Sequence, residues 1–329
     1  MQIARRRLLE LAGAAVVASA TLRRAAADTY PSHPITMIVP YAAGGPTDTV
    51  GRAVAERMRT VLGQPIVPEN VAGAAGSIGL GRVARAKPDG YTIEVGNWSA
   101  HVVNGAIYDL DYDLKTDFEP IALCARAPEV VVARKTLPVD DLESLIAWTK
   151  DRSGRFTIGT AGVGSPPHIA ALLFLKLTGT AAQLVPYRGA APAIQDLVAG
   201  QIDIVITDPT TTVPQVHAGT IKGYAVTSIK RIAAAPEIPT VDEAGLPGLY
   251  VSTWNSLFAP KGTPKDIIAQ LNAAAVTALA DPAVKKLFSD LGQEIPPPEE
   301  QTPEALGAVL KADIMKWWPI IKAANIKPE

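Results

Sequence analysis

The chain has 329 residues, which is enough for two domains of about 100–200 residues each. Hydrophobic residues make up 48% and charged residues 19%, and 31 basic against 32 acidic residues give a net charge of −1. These values exclude a disordered chain and the basic surface of a nucleic-acid-binding protein. A single cysteine, Cys124, excludes a disulfide framework and a multi-thiolate metal site, and the four histidines lack the spacing of a zinc protease. We therefore expect no metal, no cofactor and no nucleic-acid partner.

Residues 1–27 have the features of an export signal peptide. Arg5-Arg6-Arg7 precede a stretch over 8–22 that is apolar apart from Glu10, and Ala25-Ala26-Ala27 provide a small-residue cleavage pattern. The Arg-Arg-x-Leu-Leu order is typical of a twin-arginine signal; an ordinary secretory signal with an additional arginine is the alternative. Removing this segment takes the net charge from −1 to −5, because it carries five arginines and one glutamate. We expect an exported, mildly acidic protein.

From residue 35 onward, short apolar runs alternate with longer amphipathic segments. Strands are predicted at 35–40, 66–67, 91–95, 129–133, 156–160, 184–185, 202–206 and 224–227. Between them, one helix begins at Pro46 and ends at Gly63, and another begins near Asp140 with Glu143 placed for a capping box. This alternation is typical of a parallel α/β fold, and we predict two α/β lobes.

Three loop-to-helix junctions combine glycines with a hydroxyl group. They are Gly44-Gly45-Pro46-Thr47, Gly73-Ala74-Ala75-Gly76-Ser77 and Gly162-Val163-Gly164-Ser165. Such junctions expose unpaired backbone N–H groups at the positive end of a helix, which favours an anion. None of them matches a nucleotide-binding motif. Although glycine is common at such turns without any ligand, three junctions in one chain favour a shared anion-binding cleft.

The sequence gives little support to catalysis. It contains no GxSxG nucleophile elbow. Asp48 is explained as an acid in the first turn of a helix, and Asp109, Asp111 and Asp113 as a solvated loop. His168 lies near Ser165, but a histidine at a helix start can bond a backbone group or a ligand instead. We expect that the protein is not an enzyme.

An ordered set of motifs resembles the substrate-binding proteins of tripartite tricarboxylate transporters, also called the Bug family. The motifs are Val39–Asp48 (VPYAAGGPTD), Glu69–Gly79 (ENVAGAAGSIG), Gly159–His168 (GTAGVGSPPH), Val185–Pro192 (VPYRGAAP), Asp196–Asp203 (DLVAGQID), Pro239–Pro247 (PTVDEAGLP), Trp254 and Ala259–Pro264 (APKGTP). Single motifs are unspecific; their order from residue 30 to the C-terminus carries the resemblance.

The resemblance implies a periplasmic solute-binding protein with the two-lobed, Venus flytrap α/β fold, each lobe a sheet flanked by helices. Lobe 1 is expected over 28–125 plus 253–329 and lobe 2 over 126–252, joined by strands that cross near 121–130 and 250–258. The implied partners are a small organic mono- or dicarboxylate and the membrane subunits of a tripartite tricarboxylate-type transporter. We expect a monomer.

By position, the resemblance implies ligand contacts from both lobes. Those of lobe 1 are Tyr41, Ala42, Gly44, Gly45, Thr47, Asp48, Gly73, Ala74, Ala75, Gly76, Ser77 and Ser99. Those of lobe 2 are Thr160, Gly164, Ser165, His168, Gly189, Ala190 and Asp208. The chain departs from the family pattern at Ala72, Ala75 and Leu172, where proline, glycine and an acidic residue are usual. The Ala75 methyl group narrows the room for a bridging water.

Two other functions are left open. One is a periplasmic hydrolase or decarboxylase on a related scaffold, and the other is a sensor component that presents its ligand to a membrane receptor. An enzyme converts its ligand on incubation, whereas a binding protein returns it unchanged.

Overall fold

The computed structural model describes residues 30–324, so the predicted signal peptide lies outside the described residues. The predicted two-lobed α/β fold is confirmed, with two five-stranded sheets flanked by helices. The strands are β1 (Ile35–Val39), β2 (Ile66–Asn70), β3 (Thr92–Asn97), β4 (Phe118–Pro128), β5 (Val130–Arg134), β6 (Thr157–Thr160), β7 (Gln183–Pro186), β8 (Ile204–Thr207), β9 (Ile221–Val226) and β10 (Ser252–Pro260).

Ten α-helices are assigned within residues 30–324. They are α1 (Pro46–Leu62), α2 (Ser77–Ala84), α3 (Asn104–Ile107), α4 (Leu142–Asp151), α5 (Pro166–Thr178), α6 (Ala190–Val198), α7 (Pro209–His217), α8 (Lys265–Ala280), α9 (Pro282–Asp290) and α10 (Pro303–Ala323). Short 3₁₀ turns cover Ala74–Gly76 and Pro298–Glu300, and a π-helical turn covers Ser99–Val103.

The first sheet has the strand order β2-β1-β3-β10-β4. Strand β1 runs parallel to β2 and β3, whereas β10 runs antiparallel to β3 and β4. The carboxyl ends of β1, β2 and β3 therefore share one edge of the sheet, where ligands commonly bind in α/β folds.

The second sheet repeats this plan with the order β7-β6-β8-β5-β9. Strand β6 runs parallel to β7 and β8, and β5 runs antiparallel to β8 and β9. The loops that follow β6, β7 and β8 accordingly leave the sheet at the same edge.

The chain passes between the two sheets at Glu129, the single residue between β4 and β5, and returns between β9 and β10. The two crossing segments are bonded to each other. The Glu129 N–H donates to the Thr227 hydroxyl at 2.8 Å, and the Thr227 N–H donates to the Glu129 carbonyl at 2.9 Å. The Thr227 hydroxyl in turn donates to the Val251 carbonyl at 2.6 Å. The backbone at Glu129 is therefore fixed from both sides.

The ends of the helices follow from local chemistry. Helix α1 begins with Pro46 after the N-cap Gly45 and ends at Gly63, which has φ 70°. Helix α4 has a capping box, but it is formed by Asp141 and Ser144, one residue beyond the predicted Asp140 and Glu143. The predicted box was wrong because the helix begins later, so that Asp141 occupies the N-cap position.

Apolar side chains fill the space between the first sheet and its helices. Met37 of β1, Val54 of α1 and Leu271 of α8 are fully buried in one cluster. On the other face, Trp98 stands edge-on to Trp317 of α10, with ring centroids 5.5 Å apart. The apolar packing behind β3 thus fixes the position of the loop that follows this strand.

Within residues 30–324, no single helix is long and apolar enough to cross a bilayer. Helices α8 and α9 reach that length and composition only together, and they are bent by 71° relative to each other.

Candidate functional site

A cleft of about 1130 Å³ lies at the loops that follow the parallel strands, with walls from both sheets. The predicted contact residues that line it are Tyr41, Ala42, Gly44, Gly45, Thr47, Ala74, Ala75, Ser99, Gly164, Ser165, Ala190 and Asp208. Those that do not line it are Asp48, Gly73, Gly76, Ser77, Thr160, His168 and Gly189. The structure thus brings the three predicted junctions to one cleft. Ligand contact by the lining residues stays a prediction.

The start of α1 supplies backbone donors to the cleft. Its N-cap residue, Gly45, provides no side-chain cap, so the N–H groups of the first turn have no partner within the helix. Pro46 has no N–H. The backbone donors that remain at this helix start are the N–H groups of Gly45 and Thr47, and both residues line the cleft. The helix dipole adds positive potential at the same place. This junction can hold an anion without a charged side chain.

Asp48 does not line the cleft, contrary to the contact implied by the resemblance, and only 3% of it is exposed. Its carboxylate accepts hydrogen bonds from Arg52 Nε at 2.9 Å, from Asn70 Nδ2 at 2.9 Å and from the Gly44 N–H at 2.8 Å. The Arg52 bond is the main cause that lowers the pKa of Asp48 to about 2, and the Gly44 and Asn70 bonds add to it. Asp48 therefore fixes the loop before α1.

A polar network connects this loop with the end of β3. Asn97 Nδ2 donates to the Thr47 hydroxyl at 3.1 Å, and the Tyr41 hydroxyl donates to Asn97 Oδ1 at 2.8 Å. The Thr47 oxygen is thus used as an acceptor, which leaves its O–H free to donate into the cleft. Burial is the main cause that raises the pKa of Tyr41, so its hydroxyl stays a donor. The network presents one oriented hydroxyl donor beside the first turn of α1.

The turn before α2 has an unusual backbone. Ala74 and Ala75 have φ values of 45° and 52°, in the left-handed region that side chains other than glycine rarely adopt. Asn104 Nδ2 donates to the Ala75 carbonyl at 2.9 Å and to the Ser77 hydroxyl at 3.0 Å. These bonds hold the strained turn in place and occupy the Ser77 hydroxyl as an acceptor.

The junction before α5 is bonded mainly to itself. The Gly164 N–H donates to His168 Nδ1 at 2.9 Å, and the Ser165 hydroxyl donates to the Gly162 carbonyl at 2.7 Å. Pro166 and Pro167 open the helix and carry no N–H. The expectation of several free donors at this junction was therefore wrong, because its own residues use them. Burial lowers the pKa of His168, which keeps the ring neutral as an acceptor.

Two further helix starts complete the second wall. Asp208 caps α7 by accepting from the Thr211 N–H at 3.1 Å, and its other oxygen accepts from the Thr207 hydroxyl at 3.2 Å. Gly189 caps α6 with φ 116° and without a side-chain bond, which leaves the Ala190 N–H unpaired within the helix. Ala190 therefore offers a backbone donor on this wall.

The cleft carries acidic side chains. Its lining contains Glu129 and Asp208 and, among the described residues, neither lysine nor arginine. Burial, followed by the nearby charge of Asp208, raises the pKa of Glu129 well above its usual range. In the same part of the chain, no cluster of histidine, cysteine or acidic residues is placed to hold a metal ion. The groups that the cleft offers to an anion are backbone dipoles and hydroxyl groups.

Several lining residues were missed in the sequence. They include Asn97, Trp98, Asn104, Glu129, Thr253, Asn255 and Gln293. Asn97 is the last residue of β3, so the rule that sites follow the carboxyl ends of parallel strands could have found it. Glu129 lies where the chain crosses between the sheets and Asn255 lies within β10, and no local pattern marks either position.

Comparison with known proteins agrees with this architecture. A family model described as "Tripartite tricarboxylate transporter family receptor" matches residues 50–326. A UPF0065 protein from the TAR-I ttuE-ttuC' intergenic region of Agrobacterium vitis is 39% identical over 91% of this chain and 87% of its own length. Protein BugT of Bordetella pertussis is 33% identical over 98% of both chains.

Solved structures of related binding proteins are also similar to this chain. MatC from Rhodopseudomonas palustris with bound malate has a TM-score of 0.74 and 38% identity, covering 89% of this chain and all of its own. An R. palustris protein with adipate has a TM-score of 0.76 and 32% identity over 91% of this chain and 100% of its own. The periplasmic binding protein BugD has a TM-score of 0.74 and 38% identity over 91% of this chain and 100% of its own. Family model, relatives and structures agree, and the chain belongs to the tripartite tricarboxylate transporter receptor family, also called the Bug family.

Proposed function

We propose that this protein captures a small organic mono- or dicarboxylate in the periplasm and delivers it to the membrane subunits of a tripartite tricarboxylate-type transporter. The observation that carries the proposal is the first turn of α1, where unpaired N–H groups and the Thr47 hydroxyl meet in a cleft without lysine or arginine among the described residues. A carboxylate accepts from several such donors at once.

The structural neighbours support the class of ligand. MatC contains malate and the second R. palustris protein contains adipate, and both are small organic carboxylates. The family is described as one of receptors, which favours binding over a hydrolase or decarboxylase reaction.

We further propose that the ligand closes two lobes, 28–125 plus 253–329 and 126–252, around itself. The lining residues come from both ranges, for example Thr47 and Ala190. A ligand that contacts both walls favours the closed state by its differential affinity. Small-angle scattering should show compaction when a bound carboxylate is added, and an unchanged profile would count against closure.

A thermal-shift screen of carboxylic acids tests the binding function. A ligand at about 100 times its Kd should add about 2.7 kcal/mol to the free energy of unfolding. Each hit is then incubated with the protein and recovered; a binding protein returns it unchanged. A panel of mono- and dicarboxylates without any stabilising member, or recovery of a converted product, would contradict the proposal.

A further inference from the structure

A second groove, of about 560 Å³, lies between α10 and the paired ends of two strands, the start of β4 and the end of β10. Among the described residues, it shares no lining residue with the cleft. We call it the α10 groove, and its main lining residues are Lys115, Phe118, Lys261, Leu310, Lys311 and Met315. All of them belong to the range proposed for lobe 1.

The floor of the α10 groove is apolar. Phe118, Leu310 and Ile314 are buried in the core beneath it. Met315, on the rim, is 68% exposed. A flexible, polarisable methionine side chain adapts readily to the surface of a partner. The groove therefore offers both space and apolar contact to a side chain from another molecule.

Lysines surround this apolar floor. In the described part of the lining, Lys115, Lys261 and Lys311 stand against the single acid Glu119, which gives a net charge of +2. Within residues 30–324, Lys115 and Lys311 form no ion pair, and Lys261 lies 3.9 Å from Asp117. The whole chain has a net charge of −1, so this groove differs in sign from its surroundings. An acidic partner is electrostatically complementary to it.

Helix α10 connects the groove with the cleft and with the crossing between the sheets. On the side of the helix away from the groove, the Asp313 carboxylate accepts a hydrogen bond from Trp254 Nε1 at 2.8 Å, and Trp254 lines the cleft. Lys316 Nζ donates to the Tyr250 carbonyl at 2.7 Å, where the chain returns to β10. A partner in the groove thus contacts the helix that holds a wall of the cleft.

We propose that the α10 groove docks the membrane subunits of the transporter by receiving an acidic segment with an apolar side chain. The apolar side chain lies on the floor at Phe118 and Leu310, and the acidic groups face the three lysines. The lysines line a concave groove, a shape that admits a protruding side chain but not a flat lipid surface. This inference rests on the proposed delivery function and locates the surface that performs it.

A docking measurement tests the inference. The probe is the tripartite tricarboxylate-type transporter whose deletion abolishes uptake of the carboxylate found by thermal shift. Its membrane subunits are placed in nanodiscs of phosphatidylcholine, which has no net charge, and biolayer interferometry gives the Kd for the ligand-loaded protein. The wild-type protein should bind, and Kd should rise about tenfold or more between ~50 and ~500 mM salt, because exposed charges are screened.

Charge reversal locates the contact. The combined variant Lys115→Glu, Lys261→Glu and Lys311→Glu should weaken docking by about tenfold or more. The control carries the same change in net charge at three exposed lysines outside the groove, Lys87, Lys135 and Lys285. It should stay within about threefold of wild type. Both variants should retain the wild-type affinity for the carboxylate in calorimetry, which also shows that they are folded.

A cysteine footprint gives a second measurement should the combined variant fail to fold. The native Cys124 is buried and is not accessible to a maleimide. With membrane subunits at about ten times Kd, Met315→Cys should react about tenfold more slowly, since the unbound fraction falls as 1/(1 + [L]/Kd). Ile229→Cys, at a position that is 72% exposed and outside the groove, should keep its rate. Mass spectrometry of the binding protein measures both.

Each contrary result has one meaning. Wild-type docking that neither the combined variant nor the footprint affects overturns the inference and leaves delivery standing, as does equal protection at 229 and 315. Lysine-dependent binding to phosphatidylglycerol vesicles without a footprint in the nanodiscs indicates a membrane surface, and lysine-dependent self-association indicates a second copy; both overturn it. If the wild-type protein does not bind the membrane subunits, the proposed delivery is wrong and the inference falls with it, while carboxylate binding stands.

Discussion

The Asp48 carboxylate accepts a hydrogen bond from the backbone N–H of Gly44 at 2.8 Å. A side chain in the first turn of α1 thus fixes the loop that precedes this helix. The same carboxylate accepts from Arg52 and Asn70, which ties the loop to β2 as well. A side chain expected to contact the ligand instead fixes the shape of the loop that offers donors. The donors at Gly45 and Thr47 are thus held in place before any ligand arrives, which reduces the entropy cost of binding.

Asp48→Asn should destabilise the protein in a pH-dependent way. The pKa of Asp48 is lowered to about 2, against about 3.9 in an unfolded chain. The stabilisation is therefore complete above pH ~4 and is lost as the pH falls toward 2. We expect the variant to lose on the order of 1–2 kcal/mol of unfolding free energy at pH 7, a value reduced because Arg52 is half-exposed. Denaturant unfolding at pH ~7 and at pH ~2 measures this loss of unfolding free energy.

Asp109→Asn, in an exposed loop, serves as the control and should change stability little at either pH. An equal loss for Asp48→Asn at neutral and acid pH would show that its charge is not the cause.

Thr47→Val should weaken carboxylate binding. The Thr47 oxygen already accepts from Asn97, so its O–H is the group left for the ligand. Loss of a hydrogen bond to a charged group costs about 1.5–3 kcal/mol, or roughly 10–150-fold in Kd. Thr47→Ser keeps the hydroxyl and should stay within about threefold of wild type. Isothermal calorimetry with a hit from the screen measures both, and equal affinity for the valine variant would remove Thr47 from the site.

The secondary-structure elements that depend on local sequence pattern were predicted from the sequence. The alternation of strands and helices and the start of α1 at Pro46 follow from periodicity and capping, which neighbouring residues determine. Asn97 and Tyr41 are 56 positions apart, and their hydrogen bond exists only because β1 and β3 are adjacent in the sheet. The roles of Asp48 and Glu129 likewise depend on neighbours that the sequence does not place nearby.

His168→Asn should remove part of the acid sensitivity of the protein. Burial lowers the pKa of His168, and its Nδ1 accepts the Gly164 N–H. As the pH falls below about 6.5, the unfolded chain binds a proton before the folded one does, so this group contributes less stability. An asparagine Oδ1 can accept the same N–H without titrating. Thermal unfolding between pH ~7.5 and ~5.5 should show a smaller decline for this variant than for wild type.

His33→Asn, at an exposed position, should retain the wild-type decline. If His168→Asn declines as steeply as wild type, the histidine is not the sensitive group.

Ala75→Gly should stabilise the protein or leave its stability unchanged. Ala75 has a φ of 52°, which costs a residue with a side chain roughly 1–2 kcal/mol. Glycine avoids this cost but loses about 0.5–1 kcal/mol through its greater freedom in the unfolded chain. The net gain should lie between 0 and about 1.5 kcal/mol in denaturant unfolding. Ala53→Gly inside α1 should instead lose about 1 kcal/mol, and a similar loss at Ala75 would contradict the strain.

If backbone dipoles and the Thr47 hydroxyl bind the carboxylate, two results are expected together. Both are measured with the acid from the screen that binds most tightly, with its amide and with its methyl ester. The first turn of α1 and Thr47 offer donors only, so an amide NH₂ placed there leaves groups unpaired at about 1–3 kcal/mol each. We expect amidation or esterification of the carboxylate bound there to weaken binding by about 100-fold or more.

Because the described lining has neither lysine nor arginine, Kd should change less than about twofold between ~20 and ~200 mM salt. Calorimetry on all three compounds at both salt concentrations decides: an amide that binds as well as its acid rejects the donor arrangement, and a steep loss with salt indicates a cationic side chain at the site.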